Sequence, residues 1–211
     1  MKGLIVSGGS KLDKLELKKH CDRSQLVVAA DKGIELLLEV GCKIDYLIGD
    51  FDSINQEVLE QVKKSNIKIV KYPIAKDDTD TELAVNLLVE LGCKYITLVG
   101  VTGSRLDHTM ANISILRKLA LSGVKAKIID NNNIIEYLYE KSIIEKKDDY
   151  YISIIPISLE GVVISLEGFY FPLNEKNISY GSSLGVSNYL VKDSGNVIKH
   201  SGEALLLQSK D

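Results

Sequence analysis

The sequence has no Trp and only three residues each of Cys, Pro, Phe and His. Cys21, Cys42 and Cys93 are odd in number and far apart, with no CxxC, so neither a disulfide framework nor a zinc site is indicated. They read as reduced, partly buried thiols. No run approaches the roughly eighteen apolar residues that cross a bilayer. The short apolar window Leu4 to Val6 ahead of two glycines is too brief for a signal peptide. The expectation is a cytoplasmic protein with no membrane partner. Nor is there an excess of positive charge: 26 Lys and Arg stand against 29 Asp and Glu, a net charge of −3. A non-specific nucleic-acid surface needs clustered cations, so nucleic acid is not an expected partner. A small anionic ligand held through a metal remains compatible with this balance.

What is present is ample material for a core, 45% hydrophobic residues in 211, arranged with two different periods. Up to about Lys127, short runs rich in Ile, Val and Leu (GLIVSGG, QLVVAAD, YLIGD, IKIVKY, YITLVG, AKIID) end in Gly or Asp, as buried parallel strands do. Between them, IELLLEVG, NQEVLEQVKKS, TELAVNLLVELG and ANISILRKLALSG carry apolar residues at helical spacing. This βα alternation predicts an N-terminal α/β domain with a doubly wound, mostly parallel, Rossmann-like sheet over residues 1–130. Beyond Asn131 the helical period is lost. NIIEYLYE, YYISIIPI, GVVISLEGFYF, NYLVK, NVIKH and EALLLQ, separated by Gly, Asn, Ser and Pro, predict a C-terminal antiparallel β-sandwich over residues 131–211.

In open α/β sheets, ligands sit outside the carboxyl ends of the strands. There the sequence places Asp31 after LVVAA, Asp50 and Asp52 after YLIG, and Asp77, Asp78 and Asp80 after IKIVKYPIA. Two carboxylates about 4 Å apart repel by roughly 1 to 4 kcal/mol at effective dielectrics of about 80 to 20, so gathering several calls for a cation. Hard oxygen donors on short loops suit Mg²⁺. A plainer account covers part of the set, because Thr79-Asp80-Thr81-Glu82 also fits a capping box at a helix start. It does not cover Lys76 and Asp77, or the pair in GDFDS. Asp78 is given no role.

In YITLVGVTGSRLDHTMANI, a strand, a small-residue loop and a helix follow one another. Gly100 and Gly103 would let the backbone approach a phosphate or ribose, with Ser104, Arg105, Asp107 and His108 nearby. The loop matches neither GxxxxGK[ST] nor GxGxxG. Arg105 suits a phosphate clamp, while a local ion pair between Arg105 and Asp107 is the competing account. His108 reads as a packing or hydrogen-bonding residue.

Taken in order, GDFDSI (49–54), YPIAKDDTDTELA (72–84), GVTGSRLDHTMANI (100–113) and YGSSLGVSN (180–188) resemble the thiamine pyrophosphokinase family over nearly the whole chain. The resemblance implies transfer of the diphosphoryl group of ATP to the hydroxyl of thiamine, with Mg²⁺, by a homodimer with active sites between subunits. It implies that Asp50, Asp52 and Asp80 hold Mg²⁺ and the ATP phosphates, with Asp31 nearby. Lys76, Asp77 and Thr79 would lie around phosphate and thiamine, Ser104, Arg105 and Asp107 at the nucleotide, and Ser187 with Asn188 in the thiamine pocket of the partner subunit. Two departures stand out. The loop reads GSRLDH where the family usually has GGRLDH, and no Trp is present to stack on thiamine, which leaves Tyr189 as the substitute. A phosphohydrolase using the same acids, or a binding module without turnover, are the alternatives from other classes. The missing DxDxT-type nucleophile motif disfavours the first, and the number of carboxylates disfavours the second.

Overall fold

The computed structural model describes residues 1–71 and 78–211, and its chain divides into two compact units, Met1–Asn131 and Asn132–Asp211.

The first unit is a βα repeat: β1 (Lys2–Val6), α1 (Lys14–Arg23), β2 (Leu26–Ala30), α2 (Gly33–Val40), β3 (Tyr46–Gly49), α3 (Gln56–Lys63), β4 (Lys68–Lys71), α4 (Asp80–Glu90), β5 (Tyr95–Val99), α5 (Leu106–Leu121) and β6 (Lys125–Ile129). The strands lie parallel in the order β4-β3-β2-β1-β5-β6. The inner ones are apolar on both faces; Leu4, Ile5, Val6, Val28, Ala29, Leu47, Ile48 and Leu98 are fully buried. Continuous apolar runs are what a sheet covered by helices on both sides requires. β1 has β2 on one side and β5 on the other, so the order of winding reverses there. A crevice opens at such a reversal, beyond the carboxyl ends of the two strands.

Helix starts follow local chemistry. Asp13, Asn55 and Thr79 cap α1, α3 and α4 with side-chain oxygens that accept main-chain N–H bonds. The Thr79 hydroxyl accepts from Glu82 N at 3.2 Å, half of the box read from the sequence. α1 has no counterpart in the sequence reading, because only Leu17 and Cys21 of KLELKKHCDR are buried. The cysteine reading is corrected: Cys21 and Cys42 form a disulfide with Cα atoms 6.0 Å apart, and Cys93 alone is free and buried. α1 and α2 pack together, which brings a helix end and a post-helix turn into contact across 21 residues of sequence. No motif spacing encodes that meeting.

The second unit contains only strands: β7 (Asn133–Tyr137), β8 (Lys141–Glu145), β9 (Tyr151–Pro156), β10 (Val162–Glu167), β11 (Leu173–Ile178), β12 (Ser194–Gly202) and β13 (Ala204–Ser209). They form an antiparallel set β7-β13-β9 and a four-stranded set β11-β10-β12-β8. Ile152 and Ile154 of β9 and Leu206 of β13 meet Ile164 of β10, Ile178 of β11 and Val197 of β12 in one core. This is the face-to-face burial of a β-sandwich. Both halves of the expected fold class are thus present. NYLVK is not a regular strand; it is held by single bridges from Asn188 to Ile152 and from Leu190 to Phe169.

Candidate active site

The loops after β1 and β5 are locked together. Ser7 N donates to Val99 O (2.8 Å), Gly9 N to Gly100 O (2.7 Å) and Ser10 N to Thr102 O (2.7 Å). So close an approach leaves no space for side chains. A Cβ on Gly9 would sit 2.5 Å from the Gly100 carbonyl oxygen and closer still to that of Thr102, and Gly100 itself has φ +70. Gly9 and Gly100 therefore serve loop-against-loop packing, a role beyond the ligand approach expected of Gly100 from the sequence, whereas a Cβ on Gly103 would meet nothing closer than 3.9 Å.

Beside this seam lies a cleft of about 450 Å³. Its walls are Ser7 to Gly9 after β1, Asp31 and Lys32 after β2, Ser53 after β3, Thr79 to Thr81 at the start of α4, and Gly100 to Arg105 after β5. Ser7 and Thr81 share a hydroxyl hydrogen bond of 3.0 Å. Thr102 donates to Asp130 Oδ2 at 2.8 Å, and the buried Asn112 amide donates to Val101 O at 2.7 Å. These bonds fix the floor.

Of the expected residues, Asp31, Thr79, Asp80, Ser104 and Arg105 line this cleft. Asp107 lines a smaller neighbouring hollow with Thr79, His108 and Asn112. Arg105 and Asp107 are paired with each other, Nη2 to Oδ2 at 2.6 Å and Nε to Oδ1 at 3.3 Å. The guanidinium holds the Asp107 carboxyl below the usual carboxylate range, and both side chains are exposed. The local ion pair is therefore real. Lys76 and Asp77 lie outside the described residues.

Asp50 and Asp52 flank Phe51, whose φ of +68 is rare for a bulky side chain. Burial of the Phe51 ring holds this conformation and leaves the acids outside, Asp50 half-buried and Asp52 exposed. The Asp52 carboxyl is pushed up by a hydrogen bond shared with Asp50 and by the charge of Asp50, and further by that of Asp80, while Lys32 opposes the shift. Like charges this close take up a proton or a cation. Among the described residues no set of three or more His, Cys, Asp or Glu forms a complete metal cage. Mg²⁺ does not need one, since it commonly binds through one or two carboxylates plus substrate phosphates and water. The Asp50–Asp52 pair fits such an ion.

In the second unit, the buried Asn188 carboxamide accepts from Phe171 N (3.1 Å) and Tyr189 N (2.9 Å) and donates to Phe171 O (2.8 Å). Its polar atoms join two loops. Ser187 has φ +59 and donates its N–H to Ser153 Oγ at 3.0 Å. Tyr189 stacks on Tyr170 with centroids 4.7 Å apart.

Sequence reasoning missed Ser7 to Gly9, Lys32, Ser53, Thr81 and Thr102. The signal was available: SGG and DKG end apolar runs just as GDFDS does, but the strand-end rule was applied only to acids.

Family profiles match in both units: "Thiamin pyrophosphokinase, catalytic domain" over residues 17–128 and "Thiamin pyrophosphokinase, vitamin B1 binding domain" over residues 141–202. The thiamine pyrophosphokinase of Bacillus subtilis is 34% identical over 209 residues, 98% of each chain. A crystal structure of the Bacillus subtilis protein superposes with a TM-score of 0.90 at 32% identity, covering 100% of both chains. One from Geobacillus thermodenitrificans gives 0.86 at 32% identity, covering 100% of this chain and 98% of that one. With identity of this level along the whole chain, and the cleft and acids where the fold sets them, the chain belongs to the thiamine pyrophosphokinase family.

Proposed function

We propose that the protein transfers the diphosphoryl group of ATP to the hydroxyl of thiamine, releasing AMP, with Asp50 and Asp52 holding Mg²⁺ against the phosphates and Asp80 adding its charge beside them. The observation that carries this reading is the acid pair of GDFDS, with its raised Asp52 carboxyl, next to a glycine-walled cleft at the sheet's switch point. Such transfer needs in-line positioning and neutralisation of charge on the transferring oxygens more than covalent help from the protein. When bound, the metal supplies that neutralisation.

The chain's own groups do the rest. The backbone of the loops after β1 and β5 shapes the triphosphate bed. Arg105 offers the donors not spent on Asp107, Asp107 keeps the guanidinium in place, and Ser104 and Asp31 lie beside the nucleotide. Lys76, Asp77 and Thr79 belong to the segment expected around phosphate and thiamine. The thiamine hydroxyl attacks the β-phosphorus, its proton passes to one of the carboxylates, and AMP leaves.

The same proposal makes residues 1–130 the ATP-binding domain and residues 131–211 the thiamine-binding and dimerisation domain of a cytoplasmic homodimer. Active sites would be shared between subunits, with Ser187 and Asn188 serving the thiamine pocket. The dimer is supported by Tyr170, Phe171, Tyr180, Leu184, Val186 and Val191 of the second unit, each at least 44% exposed.

The test is AMP release from ATP and Mg²⁺ by the purified protein, with and without thiamine, with mass identification of the product. Thiamine-dependent AMP together with thiamine diphosphate is expected. AMP or phosphate appearing equally without thiamine would replace the transferase by a hydrolase, and saturable binding without turnover would leave a binding module.

A further inference from the structure

Lys32 follows Asp31 at the end of β2 and has no place in the site read from the sequence. It lines the cleft with Asp31, Ser53, Asp80 and Arg105, so that among the described residues the cleft's charged cations are Lys32 on one wall and Arg105 on the other. Its stem runs along the loop after β1: a Cβ on Gly8 would lie 3.0 Å from Lys32 Cβ. Within the chain Lys32 offsets part of the charge around Asp52, but among the described residues no hydrogen bond or ion pair holds its ammonium in place. Residue 32 precedes the first turn of α2, caps it without a side-chain hydrogen bond, and is exposed. A cation at a helix start opposes the helix dipole. A cation set against its helix dipole, with only the field of nearby acids to compensate, points to a ligand in the cleft it lines.

The charge balance names that ligand. Arg105 commits two donors to Asp107, and the carboxylates lining the cleft are Asp31 and Asp80, whose fields oppose a bound polyanion. An ammonium on a flexible stem is a point-charge partner for phosphate oxygens. We propose that Lys32 binds the polyphosphate chain of ATP across the cleft from Arg105, as a contact specific to the nucleotide's phosphates and not to its base or to thiamine. The proposal rests on the ATP-dependent reading above.

The experiment compares wild type with Lys32→Ala and Lys32→Arg in two measurements. In steady-state kinetics, Lys32→Ala should raise KM for ATP about 10- to 100-fold, the range for losing one charge-assisted hydrogen bond, with KM for thiamine within about 2-fold. Lys32→Arg should recover most of the loss. In calorimetric titrations with Mg²⁺ present, Lys32→Ala should weaken ATP binding by a similar factor and leave adenosine binding unchanged. A KM and an ATP affinity within about 3-fold of wild type would overturn the proposal, and so would equal loss for ATP and adenosine. Should the wild type prove to lack thiamine-dependent turnover, the functional reading falls, while the titrations still decide whether Lys32 meets the phosphates.

Discussion

Replacing Gly9 with Ala tests whether the seam between the loops after β1 and β5 is what builds the cleft. The added Cβ would stand 2.5 Å from the Gly100 carbonyl oxygen and nearer still to that of Thr102. Both obstacles are main chain, so the clash cannot be relieved by turning a side chain. The loops must part, and with them the Gly9 N to Gly100 O and Ser10 N to Thr102 O bonds, each 2.7 Å long. At about 0.5 to 1.5 kcal/mol net per bond, their loss costs about 1 to 3 kcal/mol. For a chain of this length each kcal/mol moves Tm by about 2 to 4 °C, which gives a fall of roughly 2 to 12 °C. The control is Gly103→Ala, in the same pair of loops, where the new Cβ would be 3.9 Å from Ser10 N, an ordinary contact. Its Tm should stay within about 1 °C of wild type, since a substitution free of clash or strain is nearly neutral. Differential scanning calorimetry gives the first number, and ATP titration should show weaker binding by Gly9→Ala as its walls part. A Gly9→Ala protein with wild-type Tm and wild-type ATP affinity would refute the argument, because it would mean that the loops are not held in register by this contact.

Asp52 keeps its proton to higher pH than an ordinary aspartate, first because of the hydrogen bond with Asp50. The folded chain thus binds that proton more tightly than the unfolded one, so stability is lost as pH rises from the unfolded pKa through the raised folded one. Asp52→Asn should therefore raise Tm at pH 7 and leave it unchanged at pH 3, while abolishing most activity; an equal Tm gain at both pH values would contradict the shared-proton account. For the Cys21–Cys42 disulfide, whose ends are 21 residues apart, the chain-entropy estimate is about 3 kcal/mol. Reduction should lower Tm by roughly 6 to 12 °C, and Cys21→Ser should match the reduced wild type and ignore reductant; a Tm insensitive to reductant would show that the cross-link carries no stability. Asn188→Ala strips partners from Phe171 N, Phe171 O and Tyr189 N, at about 0.5 to 1.5 kcal/mol for each part-buried hydrogen bond lost. KM for thiamine should rise more than KM for ATP, and the reverse order in steady-state kinetics would take Asn188 out of the thiamine side of the site.

The sequence was most legible where burial is complete and least where it is partial. LVVAA and YLIG announce themselves because inner parallel strands are covered on both faces, and β2 and β3 have the burial to match. The two strands that went unread, β8 and β11, are the two edges of the four-stranded set. In KSIIE and LNEKNI a single side chain each, Ile144 and Ile178, is buried, so no alternation survives to be read. NYLVK erred in the opposite direction. Its β-branched and aromatic residues suggest a strand, yet its first residue, Asn188, ties the main chain to Phe171 and leaves Tyr189 stacked on Tyr170. The site divides in the same way. Acids spaced two apart in GDFDS are visible because their repulsion is a local problem that demands a local answer. The partnership of SGG with GVTG, and the place of Lys32 on the same cleft, arise only because β1 lies between β2 and β5 in the sheet. Neighbourhood across a switch point belongs to the order of strands and not to the spacing of residues. A lysine after a strand therefore looks like any exposed lysine until the sheet order shows which cleft it faces.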